Sequence, residues 1–457
     1  MHAKYDILLE NGLDSNVDMQ GASSSFVVKP YDLVVSNIPG NGVGLAGFVA
    51  AGENFTVEVE SRNASGGRTP NFGLESEPEN VELNFSSLEF PAGGVDGDFT
   101  SGNFSLMAAA GRLQTTEANW DEVGTIKVFA SIADGNYQGV GDVTGTPSEN
   151  LGRFYPDHFS LTGSVTNACT AGGTNFSYFS DPSIQVSYTA RAENVTDELV
   201  ENYDVELGFP VQGITLVAES SDSGSDLAPG RLFVVDATWD DGLAAVTDGA
   251  ASFLRSTLEA EMSSLVVGIQ ADNTFDDRDF TSPDMNATTS GDCSAAANCD
   301  AVALNNSLRM RFGRLYSKDV HGPESASLPV ILQTEYWNGS SWQLNTDDSC
   351  TSFGRALIEF NSNNIVSSLD VDFDTSSGAD TTGTFVNLDA SEMTLSFGNA
   401  GLVFSVPGVG KTGSFPVDVD ISSMPWLHYD WNQDGNHDNN VPTATVTFGS
   451  YRGHDRV

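Results

Sequence analysis

The residues best suited to chemistry lie near the end of the chain, in Asp430-Trp431-Asn432-Gln433-Asp434-Gly435-Asn436-His437-Asp438. Oxygen-bearing side chains at every second position, then a glycine, then another acid, are how a loop wraps one hard cation. Asp430, Asn432 and Asp434 would point at the ion. Gly435 would allow the sharp turn, Asn436 would offer its backbone carbonyl, and Asp438 would ligate directly or through water. An EF-hand would place a bidentate glutamate at the twelfth position; here that position is Val441, and no flanking helices are expected. The pattern is closer to the short aspartate-rich loops of extracellular modules, which hold Ca2+ at about 10⁻⁴ to 10⁻³ M. The plain alternative is an Asx-rich turn without an ion. Calcium is the preferred reading, because carboxylates this close repel one another without it.

Other motifs carry less. Ser405-Val406-Pro407-Gly408-Val409-Gly410-Lys411-Thr412 nearly spells a phosphate-binding loop. The first glycine is missing, however, and the following Gly413-Ser414-Phe415-Pro416-Val417 reads as a strand, whereas a phosphate cradle needs a helix N-terminus there. His2, His158, His321, His428, His437 and His454 form no metal-binding pair at helical spacing. Asp121-Glu122 beside Trp120 suggests the two carboxylates of a glycosidase. Adjacent strand residues would point to opposite faces and could not flank one bond. Trp337, Trp342, Trp426 and Trp431 crowd the last third, and Trp337-Asn338-Gly339-Ser340-Ser341-Trp342 reads as a hairpin with aromatic arms. No catalytic residue and no enzyme activity is expected.

These residues must be positioned by β-structure. Phe55-Thr56-Val57-Glu58-Val59-Glu60 alternates apolar and polar, as do the stretches from Val186 and Thr443. Such short alternating runs, punctuated by Gly, Asn, Asp and Ser, predict an all-β fold of tandem immunoglobulin-like β-sandwich domains. Residues 253–262 alone read as a helix. An internal repeat organises the chain. Asn63 and Asn194 stand 131 positions apart, as do Asn71 and Asn202, and Phe72 and Tyr203. Six of the eleven residues from Gly111 to Asp121 recur from Gly230 to Asp240, among them Trp120 and Trp239, which are read as equivalent core residues. Upstream, Val28-Lys29-Pro30 faces Phe154-Tyr155-Pro156. The expected organisation is the end of a preceding element or linker at 1–25 and a first sandwich at 26–151. Its repeat follows at 152–312, and a divergent β domain with the Asp-rich loop at 313–457.

The 457 residues predict about three domains. With 63 acidic and 19 basic residues the net charge is −44, which excludes a nucleic-acid-binding surface and charge-driven docking on anionic lipid. Hydrophobic residues at 39%, with 27 phenylalanines, suffice to bury real cores. Four cysteines, Cys169, Cys293, Cys299 and Cys350, fit two disulfides in an oxidising compartment. Cys293 with Cys299 would close a local loop and leave Cys169 with Cys350, but three connectivities are possible. No apolar stretch is long enough to span a membrane. The first residues lack a secretory signal, and Tyr5-Asp6-Ile7-Leu8-Leu9-Glu10 reads like the last strand of something already under way. The expectation is a piece of a longer exported chain, extracellular or at the cell surface.

Several phrases carry a family resemblance: Gly152-Arg153-Phe154-Tyr155-Pro156-Asp157-His158-Phe159, Asn345-Thr346-Asp347-Asp348-Ser349-Cys350-Thr351, Pro425-Trp426-Leu427 before the Asp-rich loop, and Phe448-Gly449-Ser450-Tyr451-Arg452-Gly453-His454-Asp455-Arg456. With Trp120-Asp121-Glu122-Val123-Gly124 they resemble the C-terminal half of the MshQ family, from the biogenesis locus of the mannose-sensitive haemagglutinin (MSHA) type IV pilus. That half is a large domain of unknown function in exported bacterial proteins. The resemblance covers most of the chain from about Phe26 and brings no catalytic residues with it. It implies a surface or pilus association, with pilus or cell-surface components as partners. The expected function is a non-enzymatic structural or adhesive module; the alternative is a carbohydrate-binding module with a glycan ligand.

Overall fold

The structure is a computed structural model. It describes residues 2–8, 14–38, 47–220, 231–233, 237–271, 275–276, 278, 280, 301–360, 369–374, 376–385, 388–389, 392–431, 435 and 441–449. Strands make up 48% of the structure and no α-helix occurs among the described residues, so the fold is all-β. The chain divides into two compact units. Unit 1 comprises Met1–Asp157 and Glu193–Pro210; unit 2 comprises His158–Ala192 and Val211–Val457.

Unit 1 is a β-sandwich. One sheet runs Val49–Ala50, Leu151–Tyr155, Gly124–Ile132, Val81–Phe90; the other runs Asp32–Ser36, Phe55–Arg62, Arg112–Trp120, Phe99–Thr100. Period-two alternation turns one set of side chains inward from each sheet. Leu33, Val57, Val59, Leu113 and Trp120 from one sheet meet Leu83, Ile126, Val128, Ala130 and Phe154 from the other in a single core. Two facing sheets around one core, antiparallel except where Val49–Ala50 runs parallel to Leu151–Tyr155, give the immunoglobulin-like architecture. His2–Leu8 and Asp14–Ala22 form a separate hairpin.

Unit 2 repeats this strand order. His158–Thr166, Ile184–Glu193, Leu243–Phe253 and Leu232–Phe233 form one sheet; Ser177–Tyr178, Leu308–Arg311, Met262–Ala271 and Ile214–Ser220 form the other. A further sheet, Val320–Gly322, Thr443–Phe448, Gly413–Val419, Ile358–Glu359, has the same order again, and packs with Leu328–Pro329, Leu402–Phe404 and Thr381–Phe385 over Leu332, Phe353, Met393, Phe404 and Phe415.

The repeat is also local. The Asn63 side-chain oxygen accepts the N–H groups of Ser65 and Gly67 at 2.9 and 3.0 Å. That of Asn194 accepts those of Thr196 and Glu198 at 2.9 and 3.1 Å. Both asparagines therefore close the same Asx turn, a task for which a short amide is suited. Trp120 and Trp239 are both buried, but they are not the equivalent residues that the sequence suggested. Phe99 pairs with Trp120 as Leu232 pairs with Phe253, so Phe253 takes the place of Trp120, whereas Trp239 pairs with Ala244 at the other end of that strand. The helix read at 253–262 is absent: Phe253 pairs with Leu232, Met262 pairs with Met310, and the residues between are irregular. Leu254 and Leu258, an i,i+4 pair within this stretch, are 36% and 37% exposed, so no core rewards a helical face there.

Candidate functional site

The Asp-rich loop is entered from a short 3₁₀ turn, Pro425–Leu427, whose Leu427 is fully buried. An Asp430 carboxylate oxygen accepts the Gly435 N–H at 2.9 Å, and Gly435 has φ +92°, a conformation that favours glycine. Asn432, Asp434, Asn436 and Asp438 lie outside the described residues. The entry is fixed by aromatics. The Arg314 guanidinium lies 4.0 Å from the Trp342 ring centre, 4.8 Å from Tyr429, 5.0 Å from Trp431 and 5.2 Å from Tyr316. Glu335 holds the same guanidinium at 2.6 Å. Stacking of this kind suits a flat, weakly hydrated cation. Trp337 and Trp342 face each other across a hairpin whose Asn338 side chain accepts the Ser340 and Ser341 N–H groups at 2.9 and 2.8 Å.

A second concentration of polar groups surrounds the disulfide of unit 2. Cys169 and Cys350 are bonded, with Cα atoms 5.5 Å apart; Cys293 and Cys299 lie outside the described residues. Next to it, Asp348 is wholly buried. One of its oxygens accepts the N–H groups of Cys350 and Thr351 at 3.2 and 2.9 Å. The other accepts the Tyr178 hydroxyl at 2.9 Å and the Thr351 hydroxyl at 2.7 Å. Burial, with the Asp348 charge, holds the Tyr178 phenol well above its ordinary pKa. The Asn345 amide donates to the Tyr178 oxygen at 2.6 Å and is itself bonded by Arg311, which also pairs with Asp347 and Glu261 at 2.8 Å each. A buried polar network this complete orders a core. Burial also raises the pKa of Asp181, which lines a small hollow with the disulfide and Trp426.

The third place is in unit 1. Asp121 and Glu122 sit in the bend after Arg112–Trp120, not in the strand, so the expected opposite orientation does not apply. Both line an acid-rich hollow with Asp96, Asp98, Glu198 and Glu201. Glu122 is only 4% exposed. One of its oxygens accepts the N–H groups of Val123 and Asn202 at 2.7 and 3.2 Å, and the other that of Glu201 at 2.8 Å. Asn202 continues the clasp: its side chain accepts the Val95 N–H at 2.7 Å and donates to the carbonyls of Val95 and Val123 at 2.9 and 3.1 Å. A side chain at Gly94 would collide with this amide, hence the glycine. Burial pushes the Glu122 pKa up to about 7 against its three N–H donors, and burial with Asp98 and Glu198 nearby raises that of Asp121. Sequence reasoning weighed Glu122 only as half of a carboxylate pair. Two of its three donors stand 79 and 80 positions away, and the repeated Asn202 was the one available signal.

The near-phosphate-binding loop is a turn at Val409-Gly410 followed by the strand Gly413–Val419, so no helix N-terminus faces it. Lys411 pairs with Asp380 at 2.8 Å.

Sequence models of one family match three successive stretches: the second domain of DUF6701 at residues 29–116, the third at 122–300 and the fourth at 311–457. The chain belongs to the DUF6701 family. No curated protein matches this DUF6701 chain. Among solved structures it is similar to the I-band fragment I67–I69 of titin, at 9% identity over 93% of this chain and 99% of that one, with a TM-score of 0.28. It is also similar to Yersinia pseudotuberculosis InvD, at 10% identity over 85% and 92% with a TM-score of 0.30, and to extracellular domains 3–5 of Drosophila OTK, at 10% over 93% and 99% with a TM-score of 0.23. No helix among the described residues is long and apolar enough to cross a membrane.

Proposed function

We propose that this DUF6701 chain is a non-enzymatic structural and adhesive module working outside the cell, at a pilus or on the cell surface. The carrying observation is that its buried carboxylates Glu122 and Asp348 fasten loops to sandwiches. Glu122 accepts three backbone N–H groups, and Asp348 accepts two N–H groups and two hydroxyls. Carboxylates so occupied have little capacity left for a substrate. The Cys169–Cys350 bond supports an oxidising compartment. The phrases that resemble the MshQ family support the MSHA-type pilus as the context. Calcium at Asp430, Asn432, Asp434, Asn436 and Asp438 would stiffen the last domain. Deleting residues 29–457 from the native protein should abolish pilus-dependent or surface adhesion while leaving growth unchanged; normal piliation and adhesion would overturn the reading.

A carbohydrate-binding module is the second reading. The half-buried ring layer of Trp337, Trp342, Tyr429 and Trp431 favours it, since sugars stack on such surfaces. A glycan array separates the two: a spacer binds nothing, whereas a hit lost in Trp337→Ala would transfer the assignment to glycan recognition.

A further inference from the structure

Three sheets close in one way. Leu151–Tyr155 lies antiparallel to Gly124–Ile132 and parallel to Val49–Ala50. Leu308–Arg311 lies antiparallel to Met262–Ala271 and parallel to Ser177–Tyr178. Thr443–Phe448 lies antiparallel to Gly413–Val419 and parallel to Val320–Gly322. Each closing strand sends apolar side chains into its core: Phe154, Leu308 and Val446 are all at 0% exposure.

A fourth segment has the same place in the chain but no sheet. Residues 26–28 precede the strand Asp32–Ser36 as residues 152–154 precede His158–Thr166. Backbone bonds fix the equivalence. Tyr31 N–H donates to the Arg62 carbonyl at 2.8 Å, and Asp157 N–H donates to the Glu193 carbonyl at 2.8 Å. Pro30 and Pro156, one residue earlier in each, are both buried. Val28 therefore matches Phe154, which packs edge-on against Trp120 at 5.2 Å. Yet Phe26, Val27 and Val28 are 66%, 46% and 74% exposed and lie in no strand. Consecutive β-branched and aromatic residues favour strands, and an unpaired apolar one is a template for another sheet. The far end is anchored, because Lys29 Nζ donates to the Asp142 carbonyl at 2.8 Å.

We propose that residues 26–28 are the closing strand of a further sandwich, the first domain of DUF6701, whose last long strand pairs with them antiparallel and whose core takes Val28 where unit 1 takes Phe154. The family match supports this occupant: the second-domain match begins at residue 29, which leaves residues 26–28 on the first domain's side of the boundary. The inference stands on the repeat alone and holds whether or not the molecule is adhesive.

The test is amide hydrogen exchange at residues 26–28, in this chain and in the same chain carrying a first DUF6701 domain ahead of it. Joining a ladder should slow exchange by about 100-fold or more in the longer chain. Val28→Asp in that chain should return the amides to fast exchange and lower the melting temperature of the added domain alone. Equal exchange in the two chains would overturn the proposal, as would an unchanged melt of the added domain in Val28→Asp. Protection that grows with concentration in this chain alone would assign the strand to a second copy, and protection there at every concentration would assign it to the chain's own residues; either result also overturns it.

Discussion

Glu122 concentrates the residue-scale physics of unit 1. It is an acceptor for three backbone donors that have no other partner shown, so Glu122→Ala should cost about 2–4 kcal/mol through unsatisfied buried N–H groups. Its pKa also makes stability depend on pH. The folded value of about 7 lies above the ordinary 4.5, so the folded state binds the proton more tightly. The stabilisation is therefore complete below about pH 4.5 and lost as pH rises through about 7, amounting to about 3 kcal/mol in full. Asp121, Asp98 and Glu198 face the same hollow and steepen the loss, because each adds negative charge. Subtracting the denaturation profile of Glu122→Gln isolates this residue; a difference that stays flat from pH 4.5 to 8 refutes the assignment. Trp120 and Trp239, both buried but at different places in their sandwiches, give a sharper contrast. Trp239 Nε1 donates to the Gln212 carbonyl at 2.8 Å, whereas Trp120 Nε1 is buried and finds no acceptor among the described residues. Trp239→Phe should thus cost about 1 kcal/mol more than Trp120→Phe, although Trp120 is the more deeply buried. Chemical denaturation of the two variants, each followed by the fluorescence of the remaining tryptophans, would decide it.

At the scale of elements, the disulfide and the Asp348 loop form one fastening. Cys169 and Cys350 are 181 positions apart, and cross-linking so long a loop stabilises by about 5 kcal/mol in the chain-entropy account. Cys350→Ser should accordingly lower the melting transition of unit 2 and leave that of unit 1 in place; calorimetry with both transitions shifted equally would count against it. Elements were legible in the sequence wherever the cause was local. Period-two runs such as Phe55–Arg62 became strands because alternation alone decides which side chains reach the core. The paired Asn63 and Asn194 were informative because an Asx turn needs that side chain at that place. What was illegible depended on distance. Residues 253–262 look helical until Phe253 and Met262 find partners on other strands. Tyr178 and Asp348 stand 170 positions apart, and nothing in either neighbourhood announces that a phenol and a carboxylate will share a dry site. The Asp-rich loop shows the reverse: its pattern is plain in the sequence, and four of its five candidate ligands fall outside the described residues.

For the whole molecule the dominant quantity is charge. A net charge of −44 repels itself, and that repulsion opposes compactness at every carboxylate not already paired. Two kinds of cation would relieve it, and they are separable. Monovalent salt screens all charges within a Debye length, about 30 Å at 0.01 M and 3 Å at 1 M, so raising sodium chloride should lift every melting transition together. A bound Ca2+ acts only where ligands converge. At fixed ionic strength, calcium near 10⁻³ M should raise the transition of the last domain, stabilising it by the binding free energy it gains over the unfolded chain. Asp434→Ala should abolish that increment without changing the response to sodium. If calcium and an equal ionic strength of sodium shift every transition alike in the wild-type protein, the loop at residues 430–438 is a turn and the acidic surface is general solvation, with screening alone accounting for the stability.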